Sequence, residues 1–407
     1  MHPRIAASLA IALIAAPAAA QLALPGVGGT LGQVKGTLDG LVERTASTTR
    51  QTVGELTAAR LDRLTRLVRD NRQAIEFDAE AQPARRGELL LEGAGPAAIT
   101  RAEQAGFAVI SRENLEDLGL SVVRLGVPPG ATLAQAEKQL RKVLPDATIS
   151  ADQLYFVSGS NTAAAPSSQP APSPGPSVRV GVIDGATGPS VPVAITQGFA
   201  RGAPQASNHG SAVVSLLRQA GATDVALADV YGNDPAGGNA LAIVRALGWL
   251  LTREVRVVSI SLVGPRNPVL ERAIAAVQAR GVAIVAAVGN DGPAAPPSYP
   301  ASYPGVLAVT AVDARNRALI EAGRALHLDY AAPGAGMLAT NAAGQWKPVR
   351  GTSFATPLVA ARAARAMAGR GTQWRAALDS EAIDLGRKGP DPVFGRGLIC
   401  GPCRRTK

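Results

Sequence analysis

Cysteine, histidine and aromatic residues are scarce in this 407-residue sequence, and each scarcity removes a class of function. Two cysteines, Cys400 and Cys403, cannot build a disulfide-stapled framework, and with no second pair of ligands nearby they make at most half a zinc site. Their Cys-Gly-Pro-Cys spacing matches a thiol redox motif. That chemistry needs the motif between a strand and a helix, whereas only a short basic tail follows here, so a local disulfide is expected. Aromatics at 3% leave the cores to Ala, Val, Leu and Ile. Beyond the first segment no apolar run reaches the roughly 20 residues needed to cross a bilayer, so no transmembrane segment is expected. There is no acidic excess either. Lys+Arg against Asp+Glu stand at 16 and 17 over residues 21–177 and at 24 and 14 over 178–407. The basic excess is scattered along helical stretches without interleaved aromatics, which predicts a solvated surface and no nucleic-acid partner.

What is present divides the chain. Residues 1–20 combine Arg4, an apolar run from Ile5 to Ala15 and a small-residue exit ending at Ala20, the pattern of a cleaved secretory signal peptide; a secreted or periplasmic location is expected. Over 21–80 apolar residues recur at helical spacing (Leu61, Leu64, Leu67, Val68), which predicts one or two amphipathic helices, either a docking element or a spacer. Residues 81–158 alternate extended and helical stretches in the order βαββαβ, a small split-βαβ α+β domain, with Thr132 and Gln135 placed as a capping box. A Pro/Ser/Ala-rich linker spans 159–177. From 178 to 399, strand-like runs (179–183, 225–230, 257–262, 282–287, 306–312) alternate with helices, which predicts an α/β domain with a doubly wound, mostly parallel sheet. Residues 400–407 form the tail. Sites in such sheets lie at the carboxyl ends of strands.

Past the signal segment only His209 and His327 offer a general base at neutral pH. His209 sits in Asn-His-Gly at a predicted helix start; alone it is an ordinary polar contact. Asp184 ends the run Val180-Gly-Val-Ile, a carboxylate at a strand's carboxyl end; alone it is a turn or cap residue. Ser353, in Gly-Thr-Ser-Phe-Ala-Thr-Pro357, stands where a turn enters a helix, which exposes its hydroxyl and directs helix-terminal N–H groups at the site; alone it is an N-cap. Pro357 fits only the first turn of that helix. Asn290 follows a predicted buried strand in Val-Gly-Asn-Asp-Gly.

Together these segments resemble the subtilase family of serine proteases, as do Ser261-Leu-Val-Gly-Pro265 and Tyr299-Pro-Ala-Ser-Tyr-Pro304. The resemblance covers roughly residues 178–368 with the order Asp, His, Ser intact. An α/β-hydrolase would need a histidine after the nucleophile, and none follows Ser353. The resemblance implies a serine endopeptidase with Asp184, His209 and Ser353 as triad and Asn290 as oxyanion donor. It implies a substrate slot walled by Ser261, Leu262, Val263 and Gly264 on one side and Ala287, Val288 and Gly289 on the other. Protein or peptide substrates follow, with the 81–158 unit as a propeptide that inhibits its own enzyme until it is cut off near the linker. No cofactor is required; calcium is common in the family, but no carboxylate cluster here assigns a site. The chain departs from the family in four places: Gly185-Ala186 after the aspartate, Ser211 for Thr, Leu358 for a frequent His, and Val263 for Gly. The rival reading is a catalytically inert binding or scaffolding protein of the cell envelope that keeps the fold.

Overall fold

The computed structural model describes residues 54–158, 160–161 and 177–403; the expected signal peptide and most of the linker lie outside them. The described residues begin with helix α1 (54–70), which turns Leu64 inward and leaves Leu61 exposed, so the apolar stripe is narrower than its spacing predicts. Strands β1 (Ile75–Phe77), β2 (Pro83–Glu92), β3 (Ala108–Leu115), β4 (Leu120–Gly126) and β5 (Thr148–Gln153) form an antiparallel sheet, with helices α2 (Pro96–Gln104) and α3 (Leu133–Val143) between them. The sheet thus takes in β1, upstream of the expected start at 81. The capping box at Thr132 and Gln135 is formed.

Alternation along this sheet decides how it is used. Leu89 and Leu91 of β2, with Val123 and Leu125 of β4, pack under α2 and α3. Leu90, between the first two, and Val122, next to Val123, point the other way, into a core shared with helices of the larger domain. Side chains with a period of two alternate between faces, so here both faces are buried.

The larger domain carries a seven-stranded parallel sheet in the order β15-β14-β13-β11-β8-β10-β9, doubly wound as its pattern predicts. Its strands are β8 (Val180–Asp184), β9 (Ile195–Gly198), β10 (Val225–Asp229), β11 (Val257–Ile260), β13 (Ala283–Ala287), β14 (Leu307–Val312) and β15 (Tyr330–Pro333). Helices α4 (Asn208–Gln219) and α7 (Thr352–Arg370) cover one face; α5 (Ala240–Thr252) and α6 (Pro268–Ala279) cover the other and meet the small sheet. Short strands β6 (Phe156–Val157) and β12 (Leu262–Val263) pair with each other, as do β7 (Ser160–Asn161), β16 (Ala335–Thr340) and β17 (Trp346–Arg350). Helix α8 (Trp374–Glu381) follows α7, and Cys400 is joined to Cys403. Strand order reverses at β8, between β10 and β11, and a crevice is expected at such a switch point.

Two helix starts of the larger domain are completed by the small one. Asn267, fully buried as the N-cap of α6, accepts from Val269 N and Leu270 N, and its amide donates to Ala151 O and Gln153 Oε1 of the small domain. At α5 the carboxylate of Asp152 accepts from Leu241 N at 2.9 Å. Burial pushes the Asp152 carboxyl up to about 6, against the lowering by that hydrogen bond and by Arg85.

Candidate active site

Asp184 ends β8, wholly buried, and His209 is the second residue of α4, whose N-cap Ser207 accepts from His209 N and Gly210 N. Two glycines let these elements close on each other. A Cβ on Gly210 would sit 1.9 Å from the Gly185 carbonyl oxygen, and one on Gly185 would sit 2.6 Å from Ser207 Cβ. This contact brings His209 Nδ1 to 2.9 and 3.0 Å from the two Asp184 oxygens, while Asp184 Oδ1 also accepts from Gly185 N. A buried carboxylate in that position fixes the ring's orientation and leaves Nε2 as the working nitrogen. Nε2 is buried and makes no hydrogen bond among the described residues.

Ser353 is the second residue of α7. The helix starts at Thr352, so Pro357 lies past the first turn, contrary to expectation. A proline there withholds the N–H that would bond the Ser353 carbonyl, and the hydroxyl of Ser261 donates to that carbonyl instead at 2.8 Å. Ser353 is also fully buried, where an exposed hydroxyl is expected. Its cover is Ser158: Ser353 N donates to the Ser158 carbonyl oxygen at 3.1 Å, the two hydroxyls lie 2.8 Å apart, and Ser353 Oγ lies against that same oxygen. Ser158 follows β6, which pairs antiparallel with β12, Leu262 opposite Val157 and Val263 opposite Phe156. Beyond Ser353, Asn161 and Ser160 pair with Val349 and Arg350. The chain is therefore paired with β12 ahead of Ser158 and with β17 at Ser160 and Asn161.

Asn290 is held by a residue the sequence offered but did not single out. Thr352 N donates to Asn290 Oδ1 at 3.0 Å, and the Thr352 hydroxyl bridges Gly289 N and O. Among the described residues the buried amide nitrogen of Asn290 has no partner, which leaves it able to donate to an oxygen. Of the expected slot walls, Val263 faces its opposite: its γ-methyls lie 3.5 and 3.7 Å from where a Cβ on Gly289 would stand, and Ser298 Oγ lies 3.0 Å from the same point. Beside the slot opens a cavity of about 620 Å³ that reaches Asp291 and Tyr299. Among the described residues no group of three or more His, Cys, Asp or Glu is placed to hold a metal ion, and no helix is long and apolar enough to cross a membrane.

A parallel sheet with a histidine–carboxylate pair at its switch point, together with a buried serine at a helix start and an amide without a partner among the described residues, defines a class, and comparison with known proteins gives the family. The profile of the subtilase (peptidase S8) family matches residues 197–397, which include His209, Asn290 and Ser353 and begin after Asp184. Subtilisin of Bacillus pumilus is 30% identical over 249 residues, 55% of this chain and 90% of that one. The minor extracellular protease Epr of Bacillus subtilis is 28% identical over 244 residues, 55% of this chain but only 38% of the relative; for subtilisin E the share is 65%. The structure of fervidolysin from Fervidobacterium pennivorans, described as a keratinolytic enzyme related to subtilisin, superposes with a TM-score of 0.65 at 16% identity, over 79% of this chain and 61% of that one, a likeness of fold. The chain belongs to the subtilase family.

Proposed function

We propose that the chain is the precursor of a secreted serine endopeptidase that cuts itself between Ser158 and Gly159. The observation that carries this is the Ser158 carbonyl oxygen on the Ser353 N–H, within a strand paired to β12, beside an Asn290 amide with nothing else to bind. Ser353 Oγ attacks the Ser158 carbonyl carbon while His209 Nε2 takes its proton. Asp184 steadies the imidazolium, and Asn290 Nδ2 with Ser353 N receives the oxyanion. Collapse expels the Gly159 amine, protonated by His209, and water then releases Ser158 by the same route. Protein and peptide substrates follow the cut strand into the crevice, and residues 81–158 act as the enzyme's own inhibitor. Export rests on the pattern of residues 1–20 and on one relative named as extracellular.

The test is N-terminal sequencing of the protein beside its Ser353→Ala form. Active protein beginning at Gly159, with the variant uncut, is expected. Labelling by a fluorophosphonate separates this from an inert scaffold: an unlabelled wild-type chain, uncut in both forms, would sink the proposal.

A further inference from the structure

Helix α1 belongs neither to the small sheet nor to the strand in the crevice, yet it reaches the site. Leu56, Arg60 and Arg63 fall on one helical face. Arg60 Nε lies 3.2 Å from Asp291 Oδ2 and Arg63 Nη2 2.8 Å from Asp291 Oδ1, so two guanidinium groups hold one half-buried carboxylate. One residue on, Leu56 presses on Gly292, where an added Cβ would stand 2.9 Å from its Cδ1. The residues touched, Asp291 and Gly292, directly follow Asn290. Arg60, Arg63 and Leu64 also line the cavity beside Ser158. Further along, α1 packs through Leu67 and Val68 against Ile75, Leu154 and Phe156, which ties it to β6.

We propose that α1 is a second inhibitory latch, which closes the cavity next to the nucleophile by clamping Asp291 and retains the segment ahead of the cut on the enzyme after the bond at Ser158 is broken. It rests on the cleavage proposed above. Because the clamp is a pair of partly exposed ion pairs, its hold depends on salt, whereas strand pairing at β6 and apolar packing on α5 and α6 depend on it little. Release of the cut segment is then faster at high ionic strength.

Two measurements on the full chain decide it. In the uncut Ser353→Ala background, hydrogen exchange of the amides of 54–70 is compared with and without Arg60→Ala and Arg63→Ala together. Exchange about ten-fold faster in α1, with β2 and β4 unchanged, is expected, although alanine favours helix. In the active chain, the interval between appearance of the cut and half-maximal peptidase activity should shorten about five-fold in the double variant, the scale of two such ion pairs. The wild-type interval should shorten likewise at about 1 M salt, where the screening length is about 3 Å, and the variant's should not respond. Arg69→Ala, on an exposed pair with Asp70, should match wild type. Unchanged exchange, or a double variant with the wild-type interval and salt response, overturns the latch. A chain never cut at Ser158 overturns the cleavage instead, and the exchange arm still decides whether α1 is clamped.

Discussion

The small domain meets the large one in two places built on different physics. In the crevice the contact is backbone: β6 against β12, and a carbonyl on the Ser353 N–H. Any extended peptide can make those bonds. On the far side the contact is side-chain specific: Leu90, Leu118, Leu120 and Val122 are buried against α5 and α6, and Asn267 and Asp152 join the helix starts to β5. The crevice therefore carries chemistry that every substrate shares, and the sheet face carries the identity of this one segment. Changes on one side should leave the other intact.

The largest effect that would sharpen this contrast belongs to Asn290→Ala. Losing a preorganised oxyanion donor lowers turnover by roughly 10²–10³, the scale known for a subtilisin. The Asn290 amide nitrogen has no partner among the described residues, so retention of the cut segment should not change. Steady-state hydrolysis of a chromogenic peptide, with gel filtration of the cut chain, reads both; an equal fall in retention would break the contrast.

Leu90→Ala is the reciprocal change. It empties a buried site between two domains, a loss of about 2–5 kcal/mol, so the cut segment should leave far sooner. Peptidase activity after its complete removal should equal wild type. A slower peptidase after removal would mean that the sheet face also shapes the crevice.

How legible this was depends on the reach of each feature in the sequence. Asp184, His209, Asn290 and Ser353 each sit in a short motif whose glycines are needed locally, as Gly185 and Gly210 show, and so they stood out together. The parallel sheet was legible because its strands are apolar on both faces; β9, β16 and β17 are short or half-exposed and left no such run. Ser158 and α1 were not legible as parts of the site. Their partners, Leu262–Val263 and Asp291, lie more than a hundred residues away, and composition near the linker says nothing of pairing. Pro357 misled for the same reason: the hydroxyl that compensates it belongs to Ser261.

Asp152 offers a smaller handle on the sheet face. Its folded-state value of about 6 stands above the ordinary carboxyl value because burial disfavours the charge. A raised acid contributes docking stability that is full below its ordinary value, near 4, and is lost as pH rises through about 6. Arg85, Arg124 and Glu88 face it from its own domain, and Asp234 and Arg245 line the same recess from the other. The fraction of cut segment still bound should thus fall between about pH 4 and 7, by roughly ten-fold or more in binding constant. Asp152→Asn should flatten that dependence; a slope kept in the variant would assign it to another group.

The smallest expected effect tests whether the crevice is as indifferent to side chains as its backbone pairing implies. Val263 stands where the family often has Gly, and its methyls point at Gly289 across the slot, with Ser298 behind. A slot narrowed by a branched side chain suits a small residue on the acyl side of the cut bond, and the residue the chain itself presents there is Ser158. Ala, Ser, Leu or Met should be cleaved in preference to Phe or Tyr, since apolar discrimination of this kind amounts to about 1–3 kcal/mol. Val263→Gly should raise the aromatic share about ten-fold in a mixed peptide library, while the rate for Ala at that position changes little. If the aromatic-to-aliphatic ratio stays at the wild-type value, Val263 does not bound the slot, and selectivity falls to the cavity beyond it, which reaches Asp291.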